Sequence, residues 1–131
     1  MSVATFRDAV ERFAPDYGLT LDSSVVDRFE AHYELLVRWN RRLNLTRITA
    51  PEEAARRHFL ESAFLTTLVD EPVSVVDVGS GAGFPGLPLA CVWSAAEVTL
   101  VEPLANRCVF LKEVVRLVGV TNVRVVQAKF S

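Results

Sequence analysis

The chain has 131 residues, half of them hydrophobic, which suits one domain with a packed core and is short for two ordinary ones. Its 14 Lys plus Arg against 16 Asp plus Glu leave a net charge of −2, which excludes a protein that holds nucleic acid by bulk charge but leaves room for a local basic patch. Two cysteines, Cys91 and Cys108, and two histidines far apart in the chain, His32 and His58, make neither a disulfide framework nor a metal-ligand cluster, and fit a reducing, cytoplasmic setting.

Arg7, Asp8, Glu11 and Arg12 interrupt the N-terminus, so it does not read as a signal peptide. A first helix is expected over about Val3 to Phe13, with Phe6, Val10 and Phe13 on one stripe, ended by the Pro15 to Gly18 segment. A second begins at Asp22 or Ser23, both good capping types, and runs to Leu43. Val25, Phe29, Tyr33, Leu36 and Leu43 form its apolar stripe, with Val26 and Val37 beside them. A third is announced by Thr49-Ala50-Pro51-Glu52, with Thr49 as cap, and passes through Ala54, His58, Phe59, Ala63 and Leu65 to about Val69.

Beyond Glu71-Pro72 the pattern becomes strand, helix, strand, helix, strand. Val73 to Val78 reads as a strand buried on both faces, followed by Glu97 to Glu102 and Asn122 to Gln127. Helices are expected from about Gly86 to Trp93 and Leu104 to Val118, with Gly119 as C-cap and both cysteines as small buried residues within them. Val78 to Ala96 is uncharged for 19 residues, but its glycines and prolines describe a loop entering a helix, not a membrane span. The chain therefore divides into a helical region, 1–70, and an α/β region, 71–131, with right-handed crossovers and parallel strands, the two forming one structural unit.

The strongest chemical signal is VVDVGSGAGFPG, residues 75–86. A strand delivers Asp77, glycines follow at Gly79, Gly81 and Gly83, and Pro85 opens a helix. Such glycines let the chain turn sharply and bring bare backbone against a ligand. A glycine-rich turn with no ligand is the plainer alternative. The dinucleotide register would ask for a glycine at position 84, which is Phe84. An acidic residue followed by glycines two, four and six positions on instead resembles the first motif of class I methyltransferases that use S-adenosylmethionine. That ligand's amino group and sulfonium would welcome the Asp77 carboxylate, and Ser80 and Phe84 lie on the same loop. Glu102, ending the second strand, is placed to accept hydrogen bonds from both ribose hydroxyls.

Residues 36–60 hold six arginines against Glu52 and Glu53, a local excess of four positive charges that leaves the rest of the chain at −6. Arginine forks suit phosphate and stack on bases, which makes Arg41, Arg42, Arg47, Arg57 and His58 candidates for RNA contact. The solvated face of two helices is the plainer reading of the arginines. A packed core position is that of His58.

Asn44-Leu45-Thr46 with Ile48-Thr49, Arg57-His58-Phe59-Leu60-Glu61-Ser62, DVGSGAGFPGLPLA and RCVFL (Arg107 to Leu111) together resemble the glucose-inhibited division protein B family. The resemblance implies an N-terminal helical cap followed by the first half of a class I, Rossmann-like methyltransferase fold. It also implies a cytoplasmic enzyme that transfers a methyl group from S-adenosylmethionine to N7 of a guanine in small-subunit ribosomal RNA. No metal is implied. The family carries Asp where this chain has Glu61 or Glu102, and a Gly-Arg-Ala-Glu-like stretch where this chain has Ala128-Lys129-Phe130-Ser131. The sequence is accordingly expected to be an incomplete copy of a longer enzyme, with an inactive cofactor- or RNA-binding module as the alternative. Its first strand is expected to show an unpaired apolar edge, a possible route to self-association. A dinucleotide-dependent oxidoreductase is a distant third.

Overall fold

The structure is a computed structural model that describes residues 3–129. Phe130 and Ser131, half of the stretch set against the family's Gly-Arg-Ala-Glu-like segment, lie outside the described residues.

Helix α1 (Val3–Phe13) tightens into a 3-10 turn, Ala14–Tyr17, and stops at Gly18, whose φ of 70° places its amide on the Pro15 carbonyl at 3.0 Å. Helix α2 (Ser23–Leu43) is capped by the main chain of Asp22, not its side chain, and ends at left-handed Asn44. Its buried stripe includes the expected Val25, Val26, Phe29, Tyr33 and Leu36, and adds His32 and Leu35.

The third expected helix is not uniform. It divides into α3 (Pro51–Ala54), a π-helical turn (Ala55–Leu60), α4 (Glu61–Phe64) and a 3-10 turn (Leu65–Thr67). The cap is Ala50, with no side-chain bond; the Thr49 carbonyl instead accepts the Tyr33 hydroxyl at 2.6 Å. The wide turn shifts the register of the apolar face, so that consecutive Phe59 and Leu60 are both fully buried while Leu65 is exposed. The expected stripe through Ala54, His58 and Leu65 is therefore broken. Aromatic rings join these helices: Phe6 lies flat on Tyr33 at 4.3 Å, and Phe59 meets Phe6 edge-on at 5.0 Å.

Strands β1 (Ser74–Val78), β2 (Glu97–Glu102) and β3 (Val123–Gln127) form a parallel sheet in the order β1-β2-β3, joined by α5 (Gly86–Val92) and α6 (Ala105–Val118). Right-handed crossovers that step in one direction put both helices on one face. Val98 and Leu100 point into that layer and are buried, and α2 closes over α6, where Trp39 packs on Phe110 at 5.7 Å. The opposite face is open: Val76 and Val78 are 62% and 54% exposed. The first strand is thus not buried on both faces, because among the described residues nothing is layered on its second face. It is also the sheet edge. One apolar core nevertheless runs from Phe6 through Phe59, Leu87 and Leu100 to Val118, so the helical and α/β regions share their interior. Among the described residues, no helix is long and apolar enough to cross a membrane.

Candidate cofactor-binding site

The carboxyl ends of β1 and β2 meet at the loop Gly79 to Pro85. Gly79, Gly81 and Gly83 have φ values of 77°, 55° and 101°, a backbone that side chains rarely adopt. The Gly79 amide reaches across to the Val101 carbonyl of β2 at 2.8 Å, and the Gly83 amide bonds the Ser80 carbonyl at 2.8 Å. The glycines serve different ends. A Cβ on Gly83 would lie 2.7 Å from Leu87 Cδ1 and 3.1 Å from His32 Cε1, and one on Gly86 would lie 2.4 Å from Leu100 Cδ2, so these two permit close packing. A Cβ on Gly81 would find nothing nearer than 3.9 Å, so there the loop presents bare backbone to open space. Ser80 turns inward and donates to the Asp77 carbonyl at 3.0 Å.

Both expected carboxylates are buried and already engaged. Asp77 Oδ2 accepts the Gly86 amide at 3.0 Å, fastening the start of α5 to the end of β1. Burial raises its pKa, opposed by the Gly86 amide and the Ser80 hydroxyl. Glu102 is 2% exposed, and its two oxygens accept the amides of Gly81 and Leu104, each at 2.9 Å. The Gly81 bond ties the glycine loop to the end of β2, and each oxygen keeps a second acceptor direction. Cys91 and Cys108 are buried, as expected of them; burial pushes the Cys91 thiol up to about 12.

Phe84 is where the helical region meets the loop. His32 and His58, far apart in sequence, both stack on its ring, at 4.7 Å and 4.5 Å with interplanar angles of 12° and 3°. His32 Nε2 donates to the Ala82 carbonyl at 2.8 Å, and His58 Nε2 pairs with Thr46 Oγ1 at 2.8 Å. Burial holds the His32 pKa down at about 4, and burial followed by the charge of Arg57 lowers that of His58. Composition and motif give His32 no role; its position three residues after Phe29, on the apolar stripe of α2, is the sequence signal that marks it as an inward-facing residue.

The basic residues divide. Arg41, Arg42 and Arg47 are exposed and form no ion pair among the described residues, whereas Arg57 pairs with Glu53 at 3.5 Å. Arg38, Trp39, Arg41, Arg42 and Leu43 line an open hollow of about 570 Å³ at the end of α2. His58 is half-buried against Phe84, not out on this arginine surface.

A parallel sheet with a glycine loop at its strand ends, and a second strand that ends in an acidic residue, defines an α/β protein of the doubly wound class, in which ligands generally lie across the carboxyl ends of the strands. Residues 26–131 match the family model GidB, described as rRNA small subunit methyltransferase G, and the chain belongs to that family. Curated relatives named ribosomal RNA small subunit methyltransferase G include those of Roseiflexus castenholzii, 40% identical over 93% of this chain, and Clostridium beijerinckii, 37% identical over 95%. That of Lactococcus lactis subsp. cremoris is 36% identical over 87% of this chain. The chain spans about half the length of these relatives, 49% to 53%. Its helical cap and three parallel strands are the first half of a Rossmann-like methyltransferase fold.

Proposed function

We propose that this chain carries the cofactor-binding half of an S-adenosylmethionine-dependent methyltransferase that acts on guanine N7 of small-subunit ribosomal RNA. The observation that carries this reading is the left-handed glycine loop whose Gly81 amide is held by Glu102 while its outer face stays open at Gly81. Bare backbone at Gly79 and Gly81 suits close approach of an amino-acid and ribose moiety, and the second lone pairs of Glu102 suit the ribose hydroxyls. Asp77 acts through Gly86, setting the turn from which α5 starts. Phe84 supports the loop from behind.

S-adenosylmethionine supplies an electrophilic methyl group on a sulfonium. Guanine N7 offers a lone pair that bears no proton, so the reaction asks this chain for binding and orientation and needs no general base. Arg41 and Arg42, which line the hollow at the end of α2 with Arg38, Trp39 and Leu43, and Arg47 in the loop that follows are exposed and form no ion pair among the described residues, which suits them to RNA phosphates.

Methyl transfer from labelled S-adenosylmethionine to small-subunit rRNA by the full chain tests the proposal. Incorporation at guanine N7 supports it; binding of cofactor and RNA without transfer favours a binding module. NAD binding in preference to S-adenosylmethionine overturns both.

A further inference from the structure

We propose that Thr46 and His58 couple RNA contact at the Asn44 to Ala50 loop to the shape of the glycine loop, with His58 acting as a positioning residue. The inference rests on the functional reading above and adds regulation of the same site.

The links are short and continuous. Asn40, in the last turn of α2 beside Arg41 and Arg42, holds Thr46 from both sides of its main chain: Asn40 Nδ2 donates to the Thr46 carbonyl and the Thr46 amide donates to Asn40 Oδ1, each at 2.9 Å. Thr46 Oγ1 accepts the Ile48 amide at 3.0 Å and meets His58 Nε2 at 2.8 Å. Next to it Arg47 is exposed. His58 lies in the π-helical turn, whose altered register turns its ring flat onto Phe84. From Phe84 the path enters the glycine loop directly, because Ala82 is tied to His32, and Gly83 packs closely enough on His32 and Leu87 that a Cβ there would lie 3.1 Å from the His32 ring and would displace the end of Leu87.

The inner wall of the loop, Ala82 to Phe84, is therefore held by the helical region, while the ligand-facing part, Gly79 to Gly81, is held by β2 and Glu102. A phosphate gripping Arg47 constrains the segment that carries Thr46, and Thr46 reaches the cofactor loop through one hydrogen bond and one ring stack. Ordering one end makes ordering the other less costly, so each ligand should tighten the other by the same factor.

The test titrates the full chain with S-adenosylmethionine by calorimetry, with and without a small-subunit rRNA fragment. Exchange of the Gly81 and Gly83 amides is followed by NMR in the same two conditions. In the wild type, RNA should tighten the cofactor about fivefold or more and slow exchange at both amides. Thr46→Val, which removes the hydroxyl, should keep the cofactor affinity of the RNA-free protein and lose both RNA effects; Thr46→Ser should restore them. His58→Phe, which keeps a ring but not the bond, should also lose the RNA effects. His58→Gln, which keeps a polar partner but not the ring, should weaken cofactor binding even without RNA. Independent binding of the two ligands by the wild type overturns the coupling and leaves the functional reading standing. RNA effects that survive in Thr46→Val overturn it as well. A wild type that binds no cofactor overturns the functional reading, and unchanged amide exchange on adding RNA then overturns the coupling on its own evidence.

Discussion

His32 makes the fold of this chain sensitive to acid. Its imidazole is buried, stacks on Phe84 and gives its Nε2 proton to the Ala82 carbonyl, with no carboxylate among these contacts to balance a second proton. Its folded pKa of about 4 lies below the unfolded value of 6.5, so between those limits the unfolded chain binds the extra proton more readily. Stability from the neutral ring is complete above pH 6.5 and falls as pH drops towards 4. A separation of about 2.5 units at about 1.4 kcal/mol each makes the loss about 3 kcal/mol across that window. Carboxylates titrate near its lower end, so the informative quantity is the difference from His32→Gln, whose amide can still donate to the Ala82 carbonyl but does not titrate. Urea unfolding of both proteins at half-unit steps from pH 7 to 4 should show the wild type losing about 3 kcal/mol more than the variant. Parallel stability curves would refute a buried, neutral His32.

Three further outcomes are expected. Gly83→Ala, with φ at 101° and its Cβ 2.7 Å from Leu87 Cδ1, should lose about 2–4 kcal/mol in denaturant unfolding, and a loss below 1 kcal/mol would show that the loop yields easily. Glu102→Ala should leave the Gly81 and Leu104 amides without their partner, costing about 1–3 kcal/mol in all, since Leu104 is half exposed and its amide has water to turn to. It should also weaken S-adenosylmethionine binding by calorimetry; unchanged affinity would remove Glu102 from the cofactor site. The Arg41, Arg42, Arg47 triple alanine variant should keep its melting temperature, because all three side chains are exposed and unpaired among the described residues. Its affinity for small-subunit rRNA should fall, with a salt dependence shallower by about 2–3 in the log-log slope; an unchanged slope would place the RNA elsewhere.

The sequence by itself determined what local chemistry can specify. The apolar stripes of α1 and α2, the β-branched strands and the glycine spacing after Asp77 each reflect a periodicity or a backbone need that lies within a few neighbouring residues. The parallel direction of the strands follows from their alternation with helices, and the motifs shared with the family carry the kinship within the linear sequence. Only the tertiary structure decided which partner each polar group meets. Asp77 and Glu102 looked like ligands for a cofactor, yet both spend hydrogen-bonding capacity on loop amides, since a carboxylate buried beside unpaired N–H groups is stabilised by accepting from them. The burial of Val73 to Val78 on both faces failed for a similar reason: composition records that a strand is apolar, not whether a second layer covers it. His32 and His58 were separate residues on separate helices until the π-helical turn and the packing of α2 brought both onto Phe84. A register shift of that kind depends on contacts between distant segments, which no window along the sequence contains.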